Sequence, residues 1–202
     1  MSKDLVRKIY LGLSTIRSIP ALIIYNISSN KKVIKKDIDL WFRRMNIDNK
    51  NMSYYKKLNY LLISRKEFRN VFYYRLGKLS GIVLNIFYPK LKDLHICTNN
   101  IGPGLFISHG FSTIIAAKSI GENCMINQQV TIGYGNNPIP PTIGDNVRIG
   151  ANSTIIGNIK IGNNSKIGAG AIVVKDVPEN CTVIGNPAII VKKDGEKVRY
   201  NL

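Results

Sequence analysis

The sequence is poor in acidic residues throughout, with 12 in 202, whereas its basic residues are concentrated in the first half. Residues 1–92 hold 20 Lys and Arg against 5 Asp and Glu, a surplus of 15 positive charges. Residues 93–202 hold 9 against 7 and are nearly neutral. Such an uneven distribution predicts an anionic surface or ligand for the first half of the chain.

Cysteine is also scarce. The three cysteines, Cys97, Cys124 and Cys181, are odd in number, widely spaced and without a CxxC pair. This pattern argues against a disulfide framework and against a zinc site built on CxxC. We therefore expect core thiols in a reducing compartment and no bound metal.

Long uncharged apolar runs are missing as well. The most apolar early stretch, residues 5–27, is interrupted by Arg17, and we expect Pro20 to break or restart its helix. A membrane-spanning helix needs about 20 mostly uncharged residues, and the stretch fits a signal peptide poorly. Two interpretations stay open: a helix packed on the protein or in an oligomer, and an interfacial helix on anionic lipid.

Helical spacing continues through the rest of the basic half. It predicts further helices over 37–44, 54–62 and 67–79, with aromatic residues on their buried faces. Basic residues next to tyrosines could suggest nucleic-acid binding, but no signature of such a module is present. We interpret residues 1–92 as a basic helical region that does not bind nucleic acid.

A six-residue repeat organises the second half. An aliphatic residue returns at positions 143, 149, 155, 161, 167 and 173, and Gly follows it in four of the five hexads. A hexapeptide period is typical of a parallel β-helix, in which each hexad forms one short strand and a corner. The fold class predicted is therefore mainly β: a parallel β-helix over 93–191, preceded by the helical region and followed by a tail over 192–202.

The repeat is interrupted at two places. One step of seven residues separates Ile107 from Ile114, and eleven residues separate Ile132 from Ile143. The longer gap contains a Gly- and Pro-rich stretch within Tyr134–Thr142, which we interpret as an external loop. In repeat proteins such insertions tend to lie on the binding face.

Three stretches resemble a known family: Ile101–His109, Gln128–Gly133 and Gly185–Ala188. Together with the hexads they resemble the hexapeptide-repeat acyltransferases, and more narrowly the serine acetyltransferases and their relatives in capsule and O-antigen gene sets. The resemblance covers about residues 93–192. It implies a left-handed β-helix, an exception to right-handed crossovers, a homotrimer, acetyl-CoA as donor, and active sites between neighbouring prisms.

Acetyl transfer to a hydroxyl needs a general base, and His109 is the candidate. It follows Ile107 and Ser108 in a hexad with no apolar reason for a histidine, and it matches the base of the family. Asp93 lies 16 residues earlier, close to the roughly 18 residues of one coil, where stacked strands lie about 4.8 Å apart. We expect Asp93 to orient the imidazole; the alternative is that it only caps the first coil.

The resemblance also implies coenzyme contacts. The start of the loop beside the thioester corresponds to Gly133 and Tyr134, and the small residues along the pantetheine groove correspond to Ala151 and Ala169. The lysines that face the CoA phosphates correspond to Lys175 and Lys192, with Lys193 as an alternative. Lysine would act there as a point charge.

The acceptor is predicted from what the loop lacks. Serine acetyltransferases carry an Arg-His-Pro-Lys segment before the strand corresponding to Ile143, whereas this chain has the uncharged Ile139–Thr142. We therefore predict a sugar hydroxyl of a capsule or O-antigen polysaccharide, or of its lipid-linked precursor, as acceptor. The reaction would take place in the cytoplasm or at the inner face of the membrane. The alternatives are a serine O-acetyltransferase of cysteine biosynthesis and a non-catalytic β-helix scaffold, against which His109 argues.

Overall fold

The computed structural model describes residues 3–136 and 138–202, and the side chains of 15–136 and 138–202. The chain passes between Leu91 and Lys92 from one compact unit to a second. The first unit is helical, and the second consists of short β-strands.

Five helices make up the described part of the first unit. They are α1 (Lys3–Ile27), α2 (Lys31–Arg44), α3 (Tyr54–Ser64), α4 (Lys66–Leu76) and α5 (Lys78–Phe87). The predicted break at Pro20 is wrong, because α1 continues through this residue. Ser18 and Ala21 are buried on either side of Pro20, so tertiary packing holds the helix where a backbone donor is missing.

The helix expected over 67–79 is in fact two helices. Gly77, with φ +88°, separates α4 from α5 in a conformation that residues with a side chain rarely adopt. Leu79, expected on the buried face, lies instead in the first turn of α5 and is 83% exposed. Among the described residues, no helix has the length and apolar character needed to cross a membrane.

Aromatic packing and one buried ion pair hold the helical unit together. The Trp41 and Phe68 rings meet edge to face with centroids 5.3 Å apart, and Phe72 stacks on Phe68 at 6.0 Å. Nε of Arg75 donates to Oδ2 of Asp37 at 2.9 Å, and both side chains are almost fully buried. These contacts join segments that are distant in sequence.

The second unit is a β-solenoid, which confirms the predicted fold class. Its strands are β1 (Leu94–Ile96), β2 (Phe106–Ile107), β3 (Thr113–Ile115), β4 (Ser119–Ile120), β5 (Met125–Ile126), β6 (Thr131–Gly133), β7 (Thr142–Ile143), β8 (Arg148–Ile149), β9 (Thr154–Ile156), β10 (Lys160–Ile161), β11 (Lys166–Ile167), β12 (Ile172–Val173), β13 (Cys181–Ile184), β14 (Ile189–Lys193) and β15 (Glu196–Asn201).

Three sheets form the sides of the solenoid. Sheet A has the order β1-β3-β6-β9-β12, sheet B the order β4-β7-β10, and sheet C the order β2-β5-β8-β11-β13-β14-β15. The pairs are parallel up to β13, and the chain passes from A to B to C in each of about five coils. Strands β14 and β15 extend sheet C as an antiparallel hairpin that includes most of the expected tail.

The repeat follows from how the coils stack. All six aliphatic residues from Ile143 to Val173 at the hexad positions are at most 2% exposed and fill the interior. Gly follows them because the next coil lies too close for a side chain: a Cβ on Gly150 would lie 2.6 Å from the backbone nitrogen of Ala169. Burial and close stacking therefore select the aliphatic residue of every hexad and the glycine of four of the five.

Candidate active site

Two edges of the solenoid contain most of the predicted site residues. The His109 edge is where the chain passes from sheet C to sheet A, over residues 108–112, 127–130, 150–153 and 168–171. The loop edge is where the chain passes from sheet A to sheet B, over residues 116–118, 134–136, 138–141, 157–159 and 174–176. Sheet A lies between the two edges.

His109 lies in a tight turn between β2 and β3. Its φ is +64°, and Gly110 and Ser112 also have positive values, +61° and +49°. A non-glycine residue in this region costs about 1–3 kcal/mol, and such residues cluster at functional sites. The seven-residue step noted in the sequence supplies the extra residue of this turn. The imidazole is exposed. The backbone before it is fixed by a hydrogen bond, in which the Ser108 N–H donates to the Ile126 carbonyl at 2.9 Å.

Asp93 fixes the same turn from the coil before it. Its Oδ2 accepts the backbone N–H of Ser112 at 3.1 Å, and its carbonyl accepts that of Thr113 at 3.0 Å. No hydrogen bond or ion pair joins Asp93 to His109 in the part of the chain that the structure describes. The expected carboxylate–imidazole pair therefore stays a prediction, and the contact with Ser112 is one that the sequence did not indicate.

Ala151 and Ala169 lie on the His109 edge, in later coils. The Ala151 carbonyl accepts the N–H of Gly170 at 2.9 Å, so these coils stack directly. At about 4.8 Å per coil, Ala151 and Ala169 lie about 10 and 14 Å along the edge from the level of His109. Two small side chains thus lie on the same edge as the histidine, beyond the coil in which Gln128 takes the equivalent position.

Two polar residues on this edge were not singled out from the sequence. Gln129 donates its N–H to the Phe111 carbonyl at 3.0 Å, and Asn152 donates to the Gln128 carbonyl at 3.1 Å. Gln129 and Asn152 have φ values of +59° and +58°. For Asn152 the usable signal was an Asn at a hexad corner, because Asn adopts the left-handed conformation more readily than most residues. Gln129 had no such signal.

Gly133 and Tyr134 lie at the loop edge, on the other side of sheet A from His109. The Gly133 carbonyl accepts the N–H of Gly157 at 3.1 Å, and the Tyr134 side chain is 59% exposed. A strand of three residues, β6, spans the sheet here, which is about 10 Å. A single chain therefore does not bring Tyr134 next to His109.

The two predicted phosphate-binding lysines lie apart. Nζ of Lys175, at the loop edge, donates to the Leu202 carbonyl at 2.6 Å. Lys192, in sheet C, lines a hollow of about 430 Å³ together with Lys166 and Thr182. Over the described residues, no group of three or more His, Cys, Asp or Glu could hold a metal ion.

The loop itself has no charged side chain, but a lysine lies in the coil before it. Residues 134–141 are uncharged. The backbone N–H of Lys118 donates to the Pro141 carbonyl at 2.8 Å, and the Lys118 side chain is exposed. Lys118 lies in an irregular part of the repeat, and nothing in the sequence pattern linked it to the loop.

These residues give two chemical elements. The first is an exposed imidazole, able to take a proton, followed by small residues that leave room for an extended arm. The second is an uncharged loop above an exposed cation. They lie on opposite edges of sheet A.

Comparison with known proteins gives a consistent result. Residues 140–175 match the family described as bacterial transferase hexapeptide (six repeats). The serine acetyltransferase of Synechococcus elongatus is 41% identical over 102 residues, which cover 48% of this chain and 42% of that protein. The match thus spans less than half of the curated relative.

Solved structures match over more of the chain. The serine acetyltransferase of Neisseria gonorrhoeae in complex with serine is 32% identical, with a TM-score of 0.59, covering 78% of this chain and 67% of that one. A serine acetyltransferase in complex with CoA is 25% identical, with a TM-score of 0.60, covering 90% and 74%.

The prediction of a capsule or O-antigen sugar as acceptor is wrong, because the similar proteins are serine acetyltransferases. That prediction depended on the missing Arg and His of one loop. A loop without charge does not exclude a cation from another coil, and Lys118 is such a cation.

Proposed function

Because this chain belongs to the hexapeptide-repeat acyltransferase family, we propose that it transfers the acetyl group of acetyl-CoA to the hydroxyl of L-serine. The observation that supports this most is the His109 edge, where an exposed imidazole on a fixed turn precedes Ala151 and Ala169. The similar proteins are serine acetyltransferases, one of them in complex with serine and another with CoA.

His109 acts as the general base. Its imidazole takes the proton of the serine hydroxyl while the oxygen attacks the thioester carbonyl. The tetrahedral intermediate then collapses, the carbon–sulfur bond breaks, and the departing thiolate takes the proton back from the imidazolium. The products are O-acetylserine and CoA. The fixed turn keeps the imidazole oriented, which lowers the entropic cost of reaching the reacting geometry.

Asp93 is the positioning residue for His109. It holds the turn through the N–H of Ser112, at 3.1 Å. In the reacting complex its negative charge stabilises the imidazolium. Asp93→Asn keeps an oxygen that can accept from Ser112 but removes the charge.

The coenzyme lies along the His109 edge. Its pantetheine arm passes Ala151 and Ala169, where a larger side chain would clash. Lys192, in sheet C, which borders this edge, and Lys175, from the loop edge of a neighbouring copy, meet its phosphates as point charges. Acetyl-CoA is a cytoplasmic metabolite, so the reaction takes place in the cytoplasm.

A neighbouring copy completes the site. Gly133 and Tyr134 lie about 10 Å from the His109 edge across sheet A. In a homotrimer the loop edge of one prism meets the His109 edge of the next, and the loop closes over the thioester. Incomplete sites would leave a monomer inactive.

Lys118 binds the serine carboxylate. The loop lacks a cation, and Lys118 lies one coil away with an exposed side chain. Lys118→Ala should raise KM for serine about tenfold, the value of one hydrogen bond to a charged group, with kcat little changed. Lys160→Ala, an exposed lysine on β10 of sheet B, is the matched control and should leave KM unchanged.

Thiol release from acetyl-CoA tests the function directly. The full chain should release CoA when L-serine is added, and not with L-alanine, which lacks the hydroxyl. O-acetylserine should form in equal amount, measured by mass spectrometry. Absence of turnover with L-serine, while acetyl-CoA still binds, would contradict serine as the acceptor.

A further inference from the structure

Helix α1 has an apolar face that no other described residue covers. The opposite face packs inwards: Ser18 and Tyr25 are buried. The outer face consists of isoleucines at every third or fourth position, each between 47% and 78% exposed: Ile16, Ile19, Ile23 and Ile27. Their spacing keeps them on one side of the helix.

Helix α5 has a second face of the same kind. Leu84 is buried, whereas four aliphatic residues are between 49% and 83% exposed: Leu79, Ile82, Val83 and Ile86. The two helices touch, since Arg17 donates to the Phe87 carbonyl and the hydroxyls of Ser18 and Tyr88 lie 2.8 Å apart. We call these eight side chains the aliphatic stripe.

The charged residues nearest in sequence to the stripe have one sign. Residues 15–36 and 68–91, which include the part of α1 with described side chains and all of α5, contain nine Lys and Arg and no Asp or Glu. Of these, Arg17, Lys32, Lys78 and Lys90 are exposed. Single exposed aliphatic residues are ordinary, but eight on two touching helices indicate a binding face.

We propose that the aliphatic stripe docks on the surface of a membrane that contains anionic lipid. Its side chains enter the boundary between headgroups and acyl chains, while the surrounding lysines and arginines meet lipid phosphates. A second copy of this chain would bring a like-charged surface against the stripe, which is unfavourable. An anionic bilayer supplies both the apolar medium and the opposite charge.

Vesicle flotation with the full chain tests this. The protein should float with vesicles of phosphatidylcholine and phosphatidylglycerol at low salt, less at high salt, and not with phosphatidylcholine alone. The double substitution Ile23→Glu with Ile82→Glu should lower the vesicle-bound fraction at least about tenfold, because it removes two buried side chains from the contact. Val174→Glu, at an exposed aliphatic position of the solenoid, is the control and should float like the wild type.

A second pair of variants tests the charge. Lys78→Glu with Lys90→Glu, beside the stripe, should weaken binding more than Lys50→Glu with Lys66→Glu elsewhere in the helical unit. Equal flotation with neutral and anionic vesicles would overturn the charge argument. If the wild type does not float and Ile23→Glu with Ile82→Glu lowers the oligomer size, a second copy covers the stripe and the membrane is excluded. Acetyl transfer to serine is assayed without lipid, so the two hypotheses fail independently.

Discussion

The helical unit and the solenoid are stabilised in different ways. The helical unit depends on contacts between distant segments, such as the buried Asp37–Arg75 pair and the Trp41–Phe68 ring contact. The solenoid repeats one contact, an inward aliphatic residue on the next, from coil to coil. The first unit has little redundancy, whereas the second can distribute a loss over neighbouring coils.

The two units also differ in charge and chemistry. Residues 1–92 have a surplus of 15 positive charges and contain the aliphatic stripe, while the nearly neutral solenoid contains the imidazole and the groove of small residues. In our two proposals the helical unit binds a membrane surface and the solenoid transfers the acetyl group.

Breaking the buried ion pair should have the largest effect on stability. Arg75→Met leaves the Asp37 carboxylate buried without its cation, which costs about 3–5 kcal/mol in the free energy of unfolding. Urea unfolding measures it. Arg75→Met combined with Asp37→Leu should recover most of the loss. Asp39→Asn, whose carboxylate is about half exposed, should cost less than about 1 kcal/mol. A similar cost for Arg75→Met and Asp39→Asn would contradict the expected difference between a buried and a half-exposed ion pair.

One position of the solenoid core should show the next largest effect. Ile155→Ala, at a fully buried position of β9, should cost about 2–4 kcal/mol through the cavity it leaves. Ile156→Ala, the next residue on the same strand, is only partly buried and should cost less than half as much. Equal losses in the free energy of unfolding for the two variants, measured with urea, would contradict the claim that the stacked aliphatic residues stabilise the solenoid.

The smallest effect at neutral pH concerns the Cys124 thiol, whose contribution to stability changes only above pH 9. Burial raises the pKa of Cys124 from 9.0 to about 12. The unfolded chain therefore loses this proton near pH 9 while the folded chain keeps it. The contribution of this thiol to the free energy of unfolding should be complete below pH 9, and it should fall by at most about 1.4 kcal/mol for each pH unit between 9 and 12. Cys124→Ala should make the fall shallower. An unchanged slope would show that the thiol does not contribute.

Periodicity allowed the solenoid to be predicted because each hexad records the same physical requirement. The aliphatic columns, the glycine positions and the loop after β6 could all be read from spacing. The helical unit was harder to predict. Pro20 and Gly77 both interrupt a helical pattern, but only tertiary packing determines that α1 continues through the first and that the second separates α4 from α5.

The site was predictable only in part. His109, Ala151 and Ala169 share one edge because they occupy corner positions of the repeat, which the period determines. Ser112 and Lys118 could not be found, because their contacts with Asp93 and Pro141 depend on the register between coils. The acceptor was misjudged for the same reason: one loop was considered without the neighbouring coil.

The most direct measurement is steady-state acetyl transfer to L-serine by His109→Asn. Asparagine tolerates the positive φ of this turn better than most residues, so the turn should be retained. We predict a kcat lower by about 10²–10⁴-fold, with the affinity for acetyl-CoA unchanged. His95→Asn, at the other exposed histidine of the solenoid, should transfer acetyl at the wild-type rate. A kcat of His109→Asn within about twofold of the wild type would contradict His109 as the general base.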